Sequence, residues 1–318
     1  MILTEDRSYV ISLDMEENDE TTGLGGGQVE LEFTNRELLH AIITCGMPMQ
    51  RLTPQFTDKR KSEILYKMFL VEAALEVEGD RLKKSARTMY LDSSEKSVIS
   101  YYLGMFFTKL ISRRLFDVDY LVNLNLVEKS SNEYIDYFCS KWRPDMIGYK
   151  IGDDAWSVWE AKGGSNRRAP ALAKGCEQAG DIASINHKKP DPAAVCMTYY
   201  DHGYLRAIIK KTSSEEGAPV DFDANTFFET YYRPLRELFM EHCLKTDKEL
   251  KNVEVEIAVP DYGLDGPVKE DRRIRIGMPG AAFKAVLSGN YEALRQWDRK
   301  DMLCQDGCFY GEDFLYIR

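Results

Sequence analysis

Hydrophobic and polar positions along the chain fall into three textures. The first thirty residues hold an apolar stretch, Tyr9-Val10-Ile11-Ser12-Leu13, then an acidic turn, a glycine run from Gly23 to Gly27, and a strand from Gln28 to Phe33. The glycines open a strand and no Gly-Lys-Ser/Thr follows them, so they suit a hairpin loop and not a phosphate-binding loop. From Asn35 to about Leu115 the period is helical. Residues Asn35 to Ile43 share one apolar face, and Thr57 to Glu78 reads as a longer amphipathic helix with Ile64, Leu65, Met68, Phe69 and Ala73 on one stripe. Asp92 and Glu95 have the spacing of a capping box that opens a helix to about Leu115.

The texture changes after Phe116. Residues 119–127 and 136–139 look strand-like or irregular, and Arg143 to Lys162 reads as two strands around a turn. A helix is expected from Arg168 to Ile185, then a hairpin from Ala193 to Lys211 turning at Asp201-His202-Gly203. Thr212 to Pro219 is a polar linker. Beyond it the pattern predicts a helix from Ala224 to about Cys243, strands at Asn252–Val259 and Arg272–Met278, and a helix from Ala281 to about Trp297.

Composition narrows the class. A chain of 318 residues with 44% hydrophobic and 30% charged residues can bury a proper core. Its most apolar stretch, Val98 to Leu115, is interrupted by Lys109, Arg113 and Arg114, which argues against a membrane span. No basic segment followed by an apolar one opens the chain, so a cytoplasmic protein is expected. The cysteines at 45, 139, 176, 196, 243, 304 and 308 are scattered, as for reduced core thiols. Cys304 and Cys308 have half-site spacing for zinc without a second Cys/His pair. A net charge of −10 argues against coating nucleic acid through bulk positive charge. Residues 141–190, however, hold nine Lys/Arg against six Asp/Glu, so a polyanion could be met there alone.

That segment also carries the chemistry. Pro144-Asp145 begins one apolar strand, Gly152-Asp153-Asp154 forms a turn, and Trp156 to Lys162 completes a second strand. Glu160 and Lys162 are two apart and share a face with the apolar Trp156 and Val158. If Ile151 pairs with Ala155 or a near neighbour, Asp145 falls opposite positions 160 to 162. A loop of even length puts it on their face, whereas a three-residue loop points it away unless a bulge intervenes. Two carboxylates and the Ala161 carbonyl would then offer hard oxygen ligands to Mg²⁺ or Mn²⁺. The plainer reading is a hairpin end whose Glu160–Lys162 pair is solvated. His40 reads as a helix histidine, and Arg167 and Arg168 as phosphate contacts or solvated charges.

Pro144-Asp145 followed by Glu160-Ala161-Lys162 resembles the PD-(D/E)xK superfamily of restriction-endonuclease-like nucleases. The resemblance covers about residues 92–210. It implies an α/β fold with a mixed sheet flanked by helices, here with helical N-terminal and α+β C-terminal additions. Divided on that basis, the chain has an N-terminal region (1–90), a nuclease core (91–212) and a C-terminal region (213–318). It implies Asp145, Glu160, Lys162 and Gln178 as catalytic residues, with Asp145, Glu160, Ala161 and the upstream helical Glu95 around Mg²⁺ or Mn²⁺. The implied partners are DNA, a helicase, ATPase or other defence-system protein, and a second copy of the chain in a homodimer; no membrane partner is expected. The implied activity is endonucleolytic hydrolysis of DNA in prokaryotic restriction or anti-phage defence. An inactive accessory subunit that keeps the fold is the alternative.

Overall fold

A computed structural model describes residues 2–16, 27–45, 59–130, 143–213, 217–242, 252–260, 272–297 and 308–318. Strands β1 (Ser8–Met15) and β2 (Gly27–Thr34) pair antiparallel, as a hairpin requires, and the glycine run up to Gly26 lies outside the described residues. Helix α1 (Asn35–Thr44) begins at Thr34, which exchanges hydrogen bonds with Glu37 in a capping box. Helix α2 (Lys59–Ala74) is shorter than the pattern suggests, because Leu75–Glu78 is strand β3, paired with β4 (Arg81–Lys84). The Leu-Glu-Val-Glu segment alternates apolar and polar with the period of a strand, and its pairing with β4 ends the helix there. Helix α3 (Ser93–Phe116) opens at Asp92 as the capping box predicts.

Next come β5 (Tyr120–Asn123), α4 (Leu124–Ser130), β6 (Met146–Lys150), β7 (Ala155–Gly163) and α5 (Ala169–Gly180). The region 136–139 lies outside the described residues. Helix α5 stops at Gly180, short of the expected Ile185, because Ile182–Ile185 forms β8 and pairs with β11 (Ala218–Val220). Strands β9 (Ala193–Asp201) and β10 (Tyr204–Lys211) form the expected hairpin. His202 and Gly203 turn it, both at positive φ, which suits the twist of a two-residue connection. Helix α6 (Ala224–His242) follows, then β12 (Asn252–Val259) and β13 (Arg272–Pro279). The last expected helix is two, α7 (Gly280–Ser288) and α8 (Tyr291–Gln296), because Gly289 takes a left-handed conformation between them. Short strands β14 (Phe309–Tyr310) and β15 (Tyr316–Ile317) close the chain and join a sheet in the order β12-β13-β15-β14.

Among the described residues the fold is mixed α/β, built on a large curled sheet of nine strands with helices against it. Its order is β2-β1-β4-β10-β9-β7-β6-β5, with β3 beside β4 and β1 also parallel to β10. One sheet thus crosses the sequence division at residue 90. The β1–β10 pairing joins segments almost two hundred positions apart, so no local pattern announces it. Around the hairpin, β5–β6 and β6–β7 are antiparallel and β7–β9 is parallel, with α5 as the crossover. Alternation on β9 sends Val195, Met197 and Tyr199 toward Leu172 and Cys176 of α5, while Ala194 and Cys196 join the main core. Among the described residues no helix is long and apolar enough to cross a membrane.

Candidate functional site

The site is set by the β6–β7 turn. Lys150 pairs with Ala155, which leaves a four-residue loop, and Met146 pairs with Trp159. Continuing that register by one step puts Asp145 opposite Glu160, as an even-numbered loop demands. The hydrogen bonds agree. The Asp145 N–H donates to Glu160 Oε2 (2.9 Å), the Ala161 N–H donates to Asp145 Oδ2 (3.0 Å), and the Leu124 N–H donates to the Asp145 carbonyl (2.9 Å). Each acid is therefore held by backbone that belongs to the other's strand.

Lys162, one pleat beyond Glu160, donates to Glu160 Oε1 and also to Gln178 Oε1 of α5 (2.7 Å). Gln178 in turn donates through Nε2 to the Arg143 carbonyl (3.2 Å), which ties α5 to the entrance of β6. Glu160 is only 1% exposed, and the Lys162 side chain is 24% exposed. Burial pushes the Glu160 carboxyl up to about 8; the Asp145 charge adds to this and Lys162 opposes it. Burial likewise raises Asp145, against the pull of the Ala161 N–H and Lys162. Two acids forced together out of water, with one ammonium between them, form a site short of positive charge.

Packing fixes where the end of β7 lies. A Cβ on Gly104 of α3 would sit 2.8 Å from the Lys162 carbonyl, and one on Gly163 would fall onto the Ser100 carbonyl. Glycine on both sides lets helix and strand backbones touch there, so α3 braces the lysine strand directly. On the opposite face, Gly175 lets α5 approach the Val195 side chain, with the Lys162 stem alongside.

Asp145, Glu160, Ala161, Lys162 and Gln178 line a cavity of about 590 Å³, together with Lys96, Ser97, Ser100 and Tyr101 from α3, Gly163 at the end of β7, and Gly164, Ser165 and Arg168 beyond it. Sequence reasoning brought none of these four α3 residues to the site, and the one it did bring, Glu95, is not among those that line the cavity. The capping box locates the start of that helix but says nothing of what it packs on. The Glu95 carboxylate accepts from the Asp92 N–H (3.0 Å) and so serves the helix cap. Arg167 is paired with Glu16 and near Asp14, whereas its neighbour Arg168 reaches the cavity.

The other conspicuous polar groups are structural. His40 is buried, with Nε2 donating to both Asp313 oxygens (3.0 Å each), and Tyr231 donates to Asp313 Oδ2 (2.5 Å). Lys109, fully buried, donates to the Asp119 carbonyl (2.8 Å). A second cavity, of about 460 Å³, is lined by arginines and acids such as Arg36, Arg113, Arg114 and Glu312; Arg36 and Arg114 pair with Asp6 and Glu37. Cys45 and Cys196 are buried, Cys176 and Cys308 are half-buried, and Cys304 lies outside the described residues.

Among the described residues no group of three or more His, Cys, Asp and Glu side chains is placed to hold a metal ion. What the site provides is two carboxylates and backbone oxygen, a hard donor set that leaves coordination positions to water and substrate, as Mg²⁺ prefers. Its shortage of positive charge fits such an ion. No protein-family model matches this chain, and neither a curated protein nor a solved structure matches it.

Proposed function

We propose that this chain is a metal-dependent DNA nuclease of the PD-(D/E)xK type, with a restriction-endonuclease-like core. The observation that carries the reading is the facing of Asp145 and Glu160 across the β6–β7 hairpin, with Lys162 bonded to Glu160 and to Gln178. The order of strand, turn, strand and helix agrees with it.

Asp145, Glu160 and the Ala161 carbonyl are the residues that would hold Mg²⁺ or Mn²⁺. Bound there, the ion would polarise the scissile phosphate and make water a nucleophile near neutral pH. Lys162 orients the attacking water and offsets charge that grows on the phosphate oxygens. Gln178 aims Lys162, since its amide oxygen accepts from the ammonium while its NH₂ is tied to Arg143. Lys96 and Arg168, which both line the cavity, supply phosphate contacts that set the register of the substrate. A role in restriction or anti-phage defence, beside a helicase or ATPase partner, extends this reading by resemblance alone.

The test is cleavage of plasmid and linear DNA with Mg²⁺, with Mn²⁺ and with EDTA. Asp145→Ala and Glu160→Ala should abolish metal-supported turnover in folded protein, and Lys162→Ala should do the same. Cleavage that persists in EDTA or in Lys162→Ala refutes the mechanism. The net charge of −10 favours the second reading, an inactive accessory module. Calorimetric titration with Mn²⁺ separates the two, because a site lost in Asp145→Ala counts against the inert module.

A further inference from the structure

The nuclease reading leaves the aromatic residue of the cavity, Tyr101, without a task. Tyr101 is 43% exposed although its ring lines the same cavity as Asp145 and Lys162. A large aromatic left in water at a polar site is unusual where the core could have absorbed it, and nearby side chains hold it in place. The Tyr102 ring packs edge-on against Tyr101 (centroids 5.4 Å apart, 73° between planes), and is itself backed by Tyr66 (6.0 Å, 78°) and Phe106 (5.6 Å). Such a braced ring loses little conformational entropy when a second flat ring stacks on it. Lys96 and Arg168 put positive charge on the same cavity, as a backbone-tracking groove requires.

We propose that Tyr101 is a stacking platform for an unpaired base next to the scissile phosphodiester, so that the substrate is single-stranded DNA or a displaced strand and not a closed duplex. This rests on the nuclease reading for the identity of the ligand. In a closed duplex the base faces are covered by their neighbours, and a ring beside the acid pair finds only sugar and phosphate. A cavity of about 590 Å³ is on the scale of a small-molecule site and takes an unstacked nucleotide, not the girth of a helix. Stacking is indifferent to sequence, and the platform predicts little base preference at that position.

Binding, not turnover, tests this. In the full chain carrying Lys162→Ala with Mn²⁺, a short single-stranded oligonucleotide bearing a fluorescent adenine analogue should be quenched on binding. Tyr101→Leu should lose the quench and bind that strand about tenfold more weakly, with duplex binding unchanged, whereas Tyr101→Phe keeps both properties. Single-strand binding by Tyr101→Leu equal to that of its parent overturns the proposal, as does an equal loss toward duplex. Should Tyr101→Leu fold poorly, Tyr101→Trp carries the test. It should hold the single strand at least as tightly and quench more strongly, and weaker quenching overturns the platform. If the quench follows Tyr101 but the unmodified protein never cleaves with metal, the nuclease reading fails and the platform stands. Metal-dependent cleavage together with a quench blind to Tyr101 overturns the platform and leaves the nuclease reading intact.

Discussion

Replacing Gly163 with alanine isolates the contact that places the strand carrying Lys162. The new Cβ would lie 2.5 Å from the Ser100 carbonyl carbon and 3.2 Å from its Cα, with the carbonyl oxygen closer still. Ordinary van der Waals contact begins at 3.4 Å, so helix and strand must part by on the order of 1 Å. Both partners are backbone, α3 on one side and a central strand on the other, so no rotamer change relieves the clash. Overpacking of this kind costs about 1–3 kcal/mol, and with two rigid elements the upper end, ~3 kcal/mol, applies. Denaturant unfolding of Gly163→Ala should show that loss, and Gly152→Ala is the control, since a Cβ there meets nothing within 4 Å. A displacement of Lys162 by about 1 Å should also cut metal-dependent cleavage about a hundredfold. If Gly163→Ala matches Gly152→Ala within about 1 kcal/mol, the bracing role assigned to α3 is wrong.

Three further outcomes are expected. Because the folded Glu160 keeps its proton up to about 8 while an unfolded one ionises near 4.5, stability of the metal-free protein should fall as pH rises through that window; thermal melts from about pH 5 to 8 check this, and Glu160→Gln should flatten the trend. Divalent-ion binding at the proposed site must displace that proton, so Mn²⁺ affinity should rise by on the order of tenfold for each unit the pH is raised toward 8, with proton release in calorimetry, and pH-independent affinity would contradict the proposed ligands. Asp313→Ala leaves His40 and Tyr231 without their buried acceptor and should cost about 3 kcal/mol in unfolding while Mn²⁺ binding is retained; loss of binding in a folded variant would show that this network reaches the site.

Local geometry made much of the candidate site legible before any fold was known. A four-residue turn, a period-two alternation and the spacing of Glu160 from Lys162 suffice to bring Asp145 and Glu160 face to face, because antiparallel register is arithmetic once the loop is set. The capping boxes at Thr34 and Asp92 start their helices for the same reason: donor and acceptor are three residues apart. Gln178 on α5 was within reach of sequence reasoning because the helix follows the lysine strand directly and packs back on it.

What the chain could not announce were contacts between distant segments. Leu75–Glu78 is four residues of strand-like alternation directly after a helix, too short to stand out, and it is held as a strand because Arg81–Lys84 pairs with it and β10 accepts β4 into the sheet. The β1–β10 pairing, the approach of α3 to Gly163 and the arrival of Tyr101 beside Asp145 depend on packing over many residues of separation. Glu95 shows the converse, since its carboxylate could serve a cap or a metal by type and spacing, and only the fold commits it to the cap. Sequence sets which groups can meet through a turn or a helix step; burial and long-range pairing decide which do.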